Sequence, residues 1–431
     1  MKGKVFKFGG ASVKNAEGIK NVCKIIQSQG QGPLVVVVSA MGKTTNALEA
    51  IVEAYFNGKE TAMELFQECR DQHFRIMAEL FPQNHEAFAL VNDLFVEIEW
   101  VLEDPIVDKL DYLYDQIVSV GELVSTRIIA AYLSEQQIAT TWLDARDVIL
   151  TDDTFRDALV QWEQTNKRIN AKVKPLLEKK QVVLTQGFIG GTSENWNTTL
   201  GREGSDFSAA IFSYCLDVES MVIWKDVPGV LTADPRLFEN VVLLDRLSYG
   251  EAIEMTYYGA TVIHPKTIKP LQNKNIPMYV KSFAKPEDPG TLISIAEELI
   301  KYPPVIVVEK NQSLIHISTK DFSFVAEKEL SHIFKLLDEH RIRVNMMQNM
   351  AISFSACVTH RSERLEQLIA VLEEDYNVTT TEGLELLTVR HYNEDVLQEL
   401  TRGKVVLFEE RIRETVQVVM KSVPLTKWKE A

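Results

Sequence analysis

Lys7-Phe8-Gly9-Gly10-Ala11-Ser12 sets a lysine near the end of an apolar run, with two glycines just behind it. Glycines let backbone N–H groups approach phosphate oxygens, and a nearby lysine can balance the charge of a transferring phosphoryl group. The same pair also suits an ordinary turn. Thr199-Leu200-Gly201-Arg202-Glu203-Gly204-Ser205-Asp206 concentrates a guanidinium, two glycines, a hydroxyl and a carboxylate. Arg202 can clamp a carboxylate with two parallel hydrogen bonds. Ser205 is placed as the N-cap of the helix that follows, whose positive end would face an anion. A capped helix behind a loop is the bland account. Between Lys225 and Arg236, two acids (Asp226, Asp234) and two bases surround one strand end, although Asp-x-Pro-Gly and Asp-Pro also read as turns. Gly42-Lys43-Thr44 ends like a P-loop, but that motif needs glycine where Val37 stands. No G-x-G-x-x-G occurs, so the usual dinucleotide fingerprint is missing.

The elements around these residues alternate strand and helix. Val5 to Phe8 is a short strand, and Ile19, Val22, Cys23 and Ile26 mark one helical face behind it. Leu34 to Val38 is apolar without alternation, as a strand covered on both faces should be. Residues Glu60 to Leu133 keep a helical period and read as a helical insert. The α/β pattern resumes at Ile138 to Leu143, Val182 to Phe188, a helix from Ser205 to Leu216, and a buried strand Met221 to Trp224. Open α/β sheets bind ligands at strand carboxyl ends. Lys7, Ser39 to Thr45, Gly187 to Gly191 and Asp226 all follow strands, so they can gather on one edge as a phosphoryl-transfer site.

Beyond a linker at Lys301-Tyr302-Pro303-Pro304, strands and helices alternate β-α-β-β-α-β, as in a ferredoxin-like unit. The tail adds a partial second copy. This part is too small for a second enzyme and reads as regulatory.

The 431 residues suit two or three domains, and 45% hydrophobic with 25% charged residues supports packed cores. A net charge of -15 argues against nucleic acid as the main partner. The four cysteines have neither zinc nor disulfide spacing and read as reduced thiols. The first strand begins almost at Met1, leaving no room for a signal peptide, and no apolar run approaches the ~20 residues of a membrane span. The chain therefore reads as soluble and cytoplasmic, without a membrane partner.

These segments together resemble the aspartate kinases. Lys7 to Val13 is similar to the opening signature K-F-G-G-[ST]-S, and Ser39 to Asn46 to the second segment. Ser119-Val120-Gly121-Glu122 with Ser125, Gly187 to Gly190, the stretch from Thr199, Asp226 to Gly229 with Asp234 to Arg236, and Gly259 to Pro265 follow in the family's order. The likeness runs from residue 3 to about 295, and the C-terminal part resembles paired ACT domains. It implies an α/β fold: an open, mostly parallel sheet sandwiched by helices, as in amino-acid and carbamate kinases, plus ferredoxin-like ACT domains. The domains would be 1–295, with the helical insert at about 60–135, and a tandem ACT region at 303–431.

The resemblance further implies ATP with Mg²⁺ as donor, L-aspartate as acceptor and 4-phospho-L-aspartate as product, on the way to lysine, threonine and methionine. Lys7 would stabilise the transferring group, and Asp206 would orient that lysine or the metal-bound phosphate. Thr45, Glu122, Phe188, Arg202 and Ser205 would hold aspartate, Arg202 by its α-carboxylate and Glu122 by its α-ammonium. Gly9, Gly10, Ser12, Lys225, Asp226, Leu231, Arg236, Thr261 and Val262 would line the nucleotide. No residue is assigned as a metal ligand. A homodimer or larger homo-oligomer is implied.

Four departures stand out. The family often has Gly at Glu203, Tyr at Leu231 and Lys at Thr261; Lys225, where Thr is frequent, could replace the last cation. In Val344 to Ser353, Met350-Ala351 stands where the family has Ser-Glu. An effector site for lysine or threonine and a ligand-free pairing interface are both open there. A kinase for another amino acid, and a regulatory subunit without catalysis, are the alternative functions.

Overall fold

A computed structural model describes residues 2–105, 109–260, 263–296, 300–321 and 323–422. They form two compact units. The first comprises residues 1–230, 243–256 and 261–299, and the second 231–242, 257–260 and 300–431.

The first unit starts with β1 (Lys4–Phe8), α1 (Ala16–Gln29), β2 (Leu34–Val38) and α2 (Thr44–Phe56). The helical insert follows as α3 (Thr61–Ala78), α4 (Ala87–Glu103) and α5 (Leu110–Glu135). Then come β3 (Thr140–Leu143), α6 (Trp162–Glu178), β4 (Val182–Gln186), β5 (Ile189–Gly191), β6 (Asn197–Thr199) and α7 (Gly204–Leu216). The unit closes with β7 (Ser220–Lys225), β8 (Arg246–Ser248), α8 (Tyr249–Tyr257), α9 (Pro265–Lys274), β9 (Met278–Ser282) and β10 (Thr291–Ser294).

Eight of these strands make one sheet in the order β3-β4-β2-β1-β7-β9-β10-β8. From β3 to β9 all pairs are parallel, and β10 pairs antiparallel to β9. Every residue of β2 and β4 is buried, which explains why their sequences show no alternation. Register aligns Phe8 with Val38 and with Trp224, and Val38 with Gln186. The loops after β1, β2, β4 and β7 therefore leave the sheet along one edge. Phe6, Phe8 and Trp224 lock the centre, with Phe8 and Trp224 stacked at 6.1 Å.

Helix α5 has the length and composition of a membrane span, which scanning for unbroken apolar runs misses because Asp115, Gln116 and Glu122 interrupt it. Here 72% of its most apolar window is buried in the protein core.

The second unit is built on β11 (Val305–Thr319), α10 (Glu327–Glu339), β12 (Val344–Asn349), β13 (Ser353–Thr359), α11 (Ser362–Asp375), β14 (Tyr376–Arg390), α12 (Glu394–Thr401), β15 (Lys404–Ile412) and β16 (Thr415–Ser422). One antiparallel sheet runs β12-β13-β11-β14-β16-β15. β11 and β14 each shift register near Glu309 to Leu314, so each serves two modules. The distal halves, with α10, β12, β13 and α11, complete the expected ferredoxin-like repeat around Ile333, Phe354 and Leu368. The proximal halves join α12, β15 and β16 around Leu387, Leu397 and Val418. The partial second copy thus takes one strand from residues 305–309, ahead of the first copy.

Candidate active site

A cleft of about 490 Å³ opens in the first unit among the loops after β1, β2 and β4 and the first turn of α7. The β1 and β2 loops meet backbone to backbone: Gly42 N–H donates to Gly10 O at 3.0 Å, and Ser39 N–H to Phe8 O at 3.1 Å. A side chain at Gly10 would begin 2.8 Å from Ala40 O, so only glycine fits.

Lys7, next to last in β1, lines this cleft. Its ammonium lies 2.6 Å from Asp206 Oδ1, and Lys225, ending β7, lies 3.7 Å from Oδ2. Asp206 is fully buried in the first turn of α7. Burial alone would push its carboxyl up; the charges of Lys7 and then Lys225 outweigh it and hold the group below its ordinary range. Two ammonium groups share one carboxylate, which leaves a surplus positive charge at the sheet edge. That is the field a polyphosphate requires.

Glu122 reaches the cleft from the middle of α5. It is 2% exposed, and Oε1 accepts from Ala40 N–H at 3.3 Å. Its Oε2 has no hydrogen-bond partner among the described residues. Burial pushes this carboxyl up to about 8, against the pull of the backbone N–H groups of Ala40 and of Glu122 itself. An ionised, half-satisfied buried carboxylate costs free energy until a cation arrives.

The segment from Gly201 makes a tight turn, with Gly204 N–H donating to Gly201 O at 3.0 Å. Glu203, not Ser205, is the N-cap of α7, at φ 55° and ψ 26°. The helix starts earlier than the Ser205 signal suggested because this left-handed residue turns the chain into it. Ser205 instead sits in the first turn and faces the cleft. A left-handed backbone penalises any side chain and suits glycine, which gives Glu203 a conformational cost. Glu203→Gly is expected to stabilise the protein by about 1 kcal/mol in denaturant titration, with activity retained. Phe188 is also left-handed, at φ 72°. Its ring leaves no room beside Gly204, where a side chain would begin 2.6 Å from Cδ2.

Of the residues singled out from sequence, the cleft gathers Lys7, Gly10, Thr45, Glu122, Phe188, Arg202 and Ser205. Asp206 and Lys225 stand behind Lys7, Gly9 lies 3.4 Å from the Lys7 ammonium (measured from its missing side chain), and Ser12 is buried in the turn after it. Asp226 is exposed at the end of β7. Leu231 and Arg236 belong to the second unit, where Arg236 is clamped by Asp234 at 2.7 Å. Thr261 and Val262 lie outside the described residues. Sequence reasoning missed Glu49, Tyr114 and Arg156 in the cleft wall, and Asp115 behind it. Asp115 is wholly buried and accepts from Thr199 N–H at 2.8 Å, Thr199 Oγ1 at 2.7 Å and Arg156 N–H at 3.0 Å. The two acids inside the apolar stretch of α5 were the available signal, since Asp115 and Glu122 stand seven residues, or two helical turns, apart on one side of the helix, away from Asp111 and Glu135 at its ends.

Residues 2–282 match the amino acid kinase family. Lysine-sensitive aspartokinase 3 of Escherichia coli is 30% identical over 400 residues, covering 89% of this chain and 86% of that one. The crystal structure of E. coli aspartokinase III with aspartate and ADP (R-state) superposes with a TM-score of 0.82 at 26% identity, over 97% of this chain and 96% of that one. Its complex with lysine and aspartate (T-state) gives 0.82 at 27% identity over the same shares. A cationic sheet edge beside a buried, half-satisfied carboxyl, on this fold and with these relatives, leads to one conclusion: the chain belongs to the amino acid kinase family and, within it, to the aspartokinases.

Proposed function

We propose that the cleft binds ATP and L-aspartate and yields ADP and 4-phospho-L-aspartate, the first step toward lysine, threonine and methionine. A side-chain carboxylate oxygen of aspartate attacks the γ-phosphorus. The bond to the β,γ-bridging oxygen breaks, and its electron pair leaves with ADP. The nucleophile is already ionised, so no base is needed and positioning with charge stabilisation supplies the rate. Lys7 meets the transferring group, with Asp206 aiming it. Arg202 takes the α-carboxylate and Glu122 the α-ammonium, while Thr45, Phe188 and Ser205 complete the acceptor wall. Glycines 9 and 10, Ser12, Lys225 and Asp226 face the nucleotide. The observation that carries this reading is the Lys7–Asp206–Lys225 cluster beside the half-satisfied Glu122.

Among the described residues no group of three or more His, Cys, Asp or Glu is set to hold a metal ion. Mg²⁺ would come with ATP, and Asp226, an exposed carboxylate just past the end of β7, is the residue that would steady it. When bound, the ion neutralises phosphate charge.

Purified protein should release ADP with aspartate, and hydroxylamine should trap the acyl phosphate as a hydroxamate. Equal rates with glutamate, or none with any acceptor, would defeat the reading. Lys225→Thr should raise the KM for ATP at least fivefold with the aspartate KM little changed, about 1 kcal/mol of lost charge pairing. An unaltered ATP KM would mean Lys225 does not stand in for a lysine at Thr261. For the second unit, lysine and threonine are the effectors to test by inhibition of that assay.

A further inference from the structure

Of the three cations that line the cleft, Lys7, Arg156 and Arg202, the mechanism above leaves Arg156 unused. It sits in the loop between β3 and α6 at φ 69°, a left-handed backbone that a long side chain rarely adopts. Non-glycine residues persist there when their surroundings over-determine them, and such positions cluster at functional sites. The surroundings here are explicit. Arg156 N–H donates to both oxygens of buried Asp115, at 3.0 and 3.2 Å. Ala158 N–H donates to Thr199 O at 2.9 Å, tying this loop to the segment that carries Arg202. The Arg156 carbonyl lies 3.3 Å from where a Gly201 side chain would begin. Two arginines thus spring from adjoining backbone at one mouth of the cleft.

The guanidinium is also held in orientation. Its carbon lies 4.2 Å over the Tyr114 ring, whose hydroxyl donates to Glu49 at 2.7 Å. Its one polar side-chain contact among the described residues is a half-exposed pair with Asp111 at 3.2 Å. Exposed pairs of that kind contribute little, and most of the guanidinium's five N–H groups stay available to an anion.

We infer that Arg156 is a second positioning residue for the acceptor, sharing the α-carboxylate with Arg202. The inference rests on aspartate being the acceptor. Two guanidiniums on one carboxylate fix its plane and so fix the direction in which the side-chain carboxylate points. They also discriminate against an acceptor whose α-carboxylate is neutralised.

The test compares wild type, Arg156→Gly and Arg156→Lys, with L-aspartate as substrate and its α-carboxamide as competitive inhibitor. Arg156→Gly should raise the aspartate KM at least tenfold and leave kcat within about threefold. The Ki of the α-carboxamide should move less than threefold, because it lacks the charge that Arg156 recognises. Arg156→Lys should recover part of the lost affinity. Glycine suits the left-handed position, so the thermal midpoint of Arg156→Gly should not fall below wild type, and weaker binding cannot then be assigned to unfolding. An unchanged aspartate KM, or equal losses for aspartate and the α-carboxamide, overturns the role. A wild-type enzyme that forms no hydroxamate from aspartate overturns the acceptor assignment itself, before any variant is compared.

Discussion

Lys7→Met should lower kcat by roughly a thousandfold while the aspartate KM stays within a fewfold of wild type. Removing one preorganised donor aimed at developing charge costs about 10²–10³ in rate. Lys7 belongs at the top of that range, because it is a full charge in a 7%-exposed position and the remaining cation, Lys225, is 3.7 Å away from their shared carboxylate. Structure should suffer too. Asp206 would keep a single, longer ion pair in a fully buried site, and breaking a buried pair costs about 3 kcal/mol. Adding Asp206→Asn to Lys7→Met removes the stranded charge. The double variant should regain much of the stability in denaturant titration and none of the activity. If it regained activity, or if Lys7→Met alone kept more than a tenth of kcat, Lys7 would be a structural partner of Asp206 and not the group that meets the phosphoryl.

The sequence exposed this cluster because its parts are local. Lys7 with Gly9-Gly10, and Arg202 with Asp206, each lie inside a few consecutive residues, and strands without alternation announce a sheet covered on both faces. What stayed hidden depends on distant partners. Arg156 looks like a loop arginine until Asp115, forty-one residues earlier, is seen to hold its backbone. Ser205 looks like a cap until the left-handed Glu203 is seen to start the helix. Residues 305–309 look like the first strand of the first regulatory module, yet they pair with 386–390, some eighty residues on, because a register shift hands the strand from one module to the other. Leu231 and Arg236 follow a strand of the kinase unit in sequence but join the second unit, where Thr232 O accepts from Ile306 N–H at 2.7 Å. Spacing along the chain records none of these pairings. The resemblance supplied Glu122 as a partner for an ammonium; its burial and its missing hydrogen bond give that role a physical cause.

Glu122→Gln should raise the aspartate KM by a hundredfold or more, since a buried charge-assisted contact to the α-ammonium is worth about 3 kcal/mol. The pH behaviour separates this from a packing defect. In the free enzyme burial holds the Glu122 carboxyl near 8 against an ordinary 4.5, so at neutral pH it carries a proton. Aspartate binding must displace that proton. The apparent affinity should therefore rise with pH from 6 to about 8 and then level, and calorimetry in buffers of different ionisation enthalpy should report close to one proton released per aspartate bound near pH 7. The free protein has the opposite trend. Between 4.5 and 8 its folded state keeps a proton that the unfolded chain gives up, so this group subtracts stability as pH climbs through that window, and the full cost is present above 8. Glutamine carries no such cost. Glu122→Gln should thus match wild type in stability at pH 5 and exceed it at pH 8.5, while binding aspartate far more weakly at pH 8.5 and losing that difference toward pH 5, where the wild-type carboxyl must first give up its proton. A substitution that makes the protein sturdier and the acceptor weaker, each in proportion to the charge it removes, is the signature of a carboxylate kept for an incoming ammonium. If the variant were less stable at every pH, or aspartate bound with no proton released, Glu122 would be a buried acid of the helix core and the ammonium would be held elsewhere.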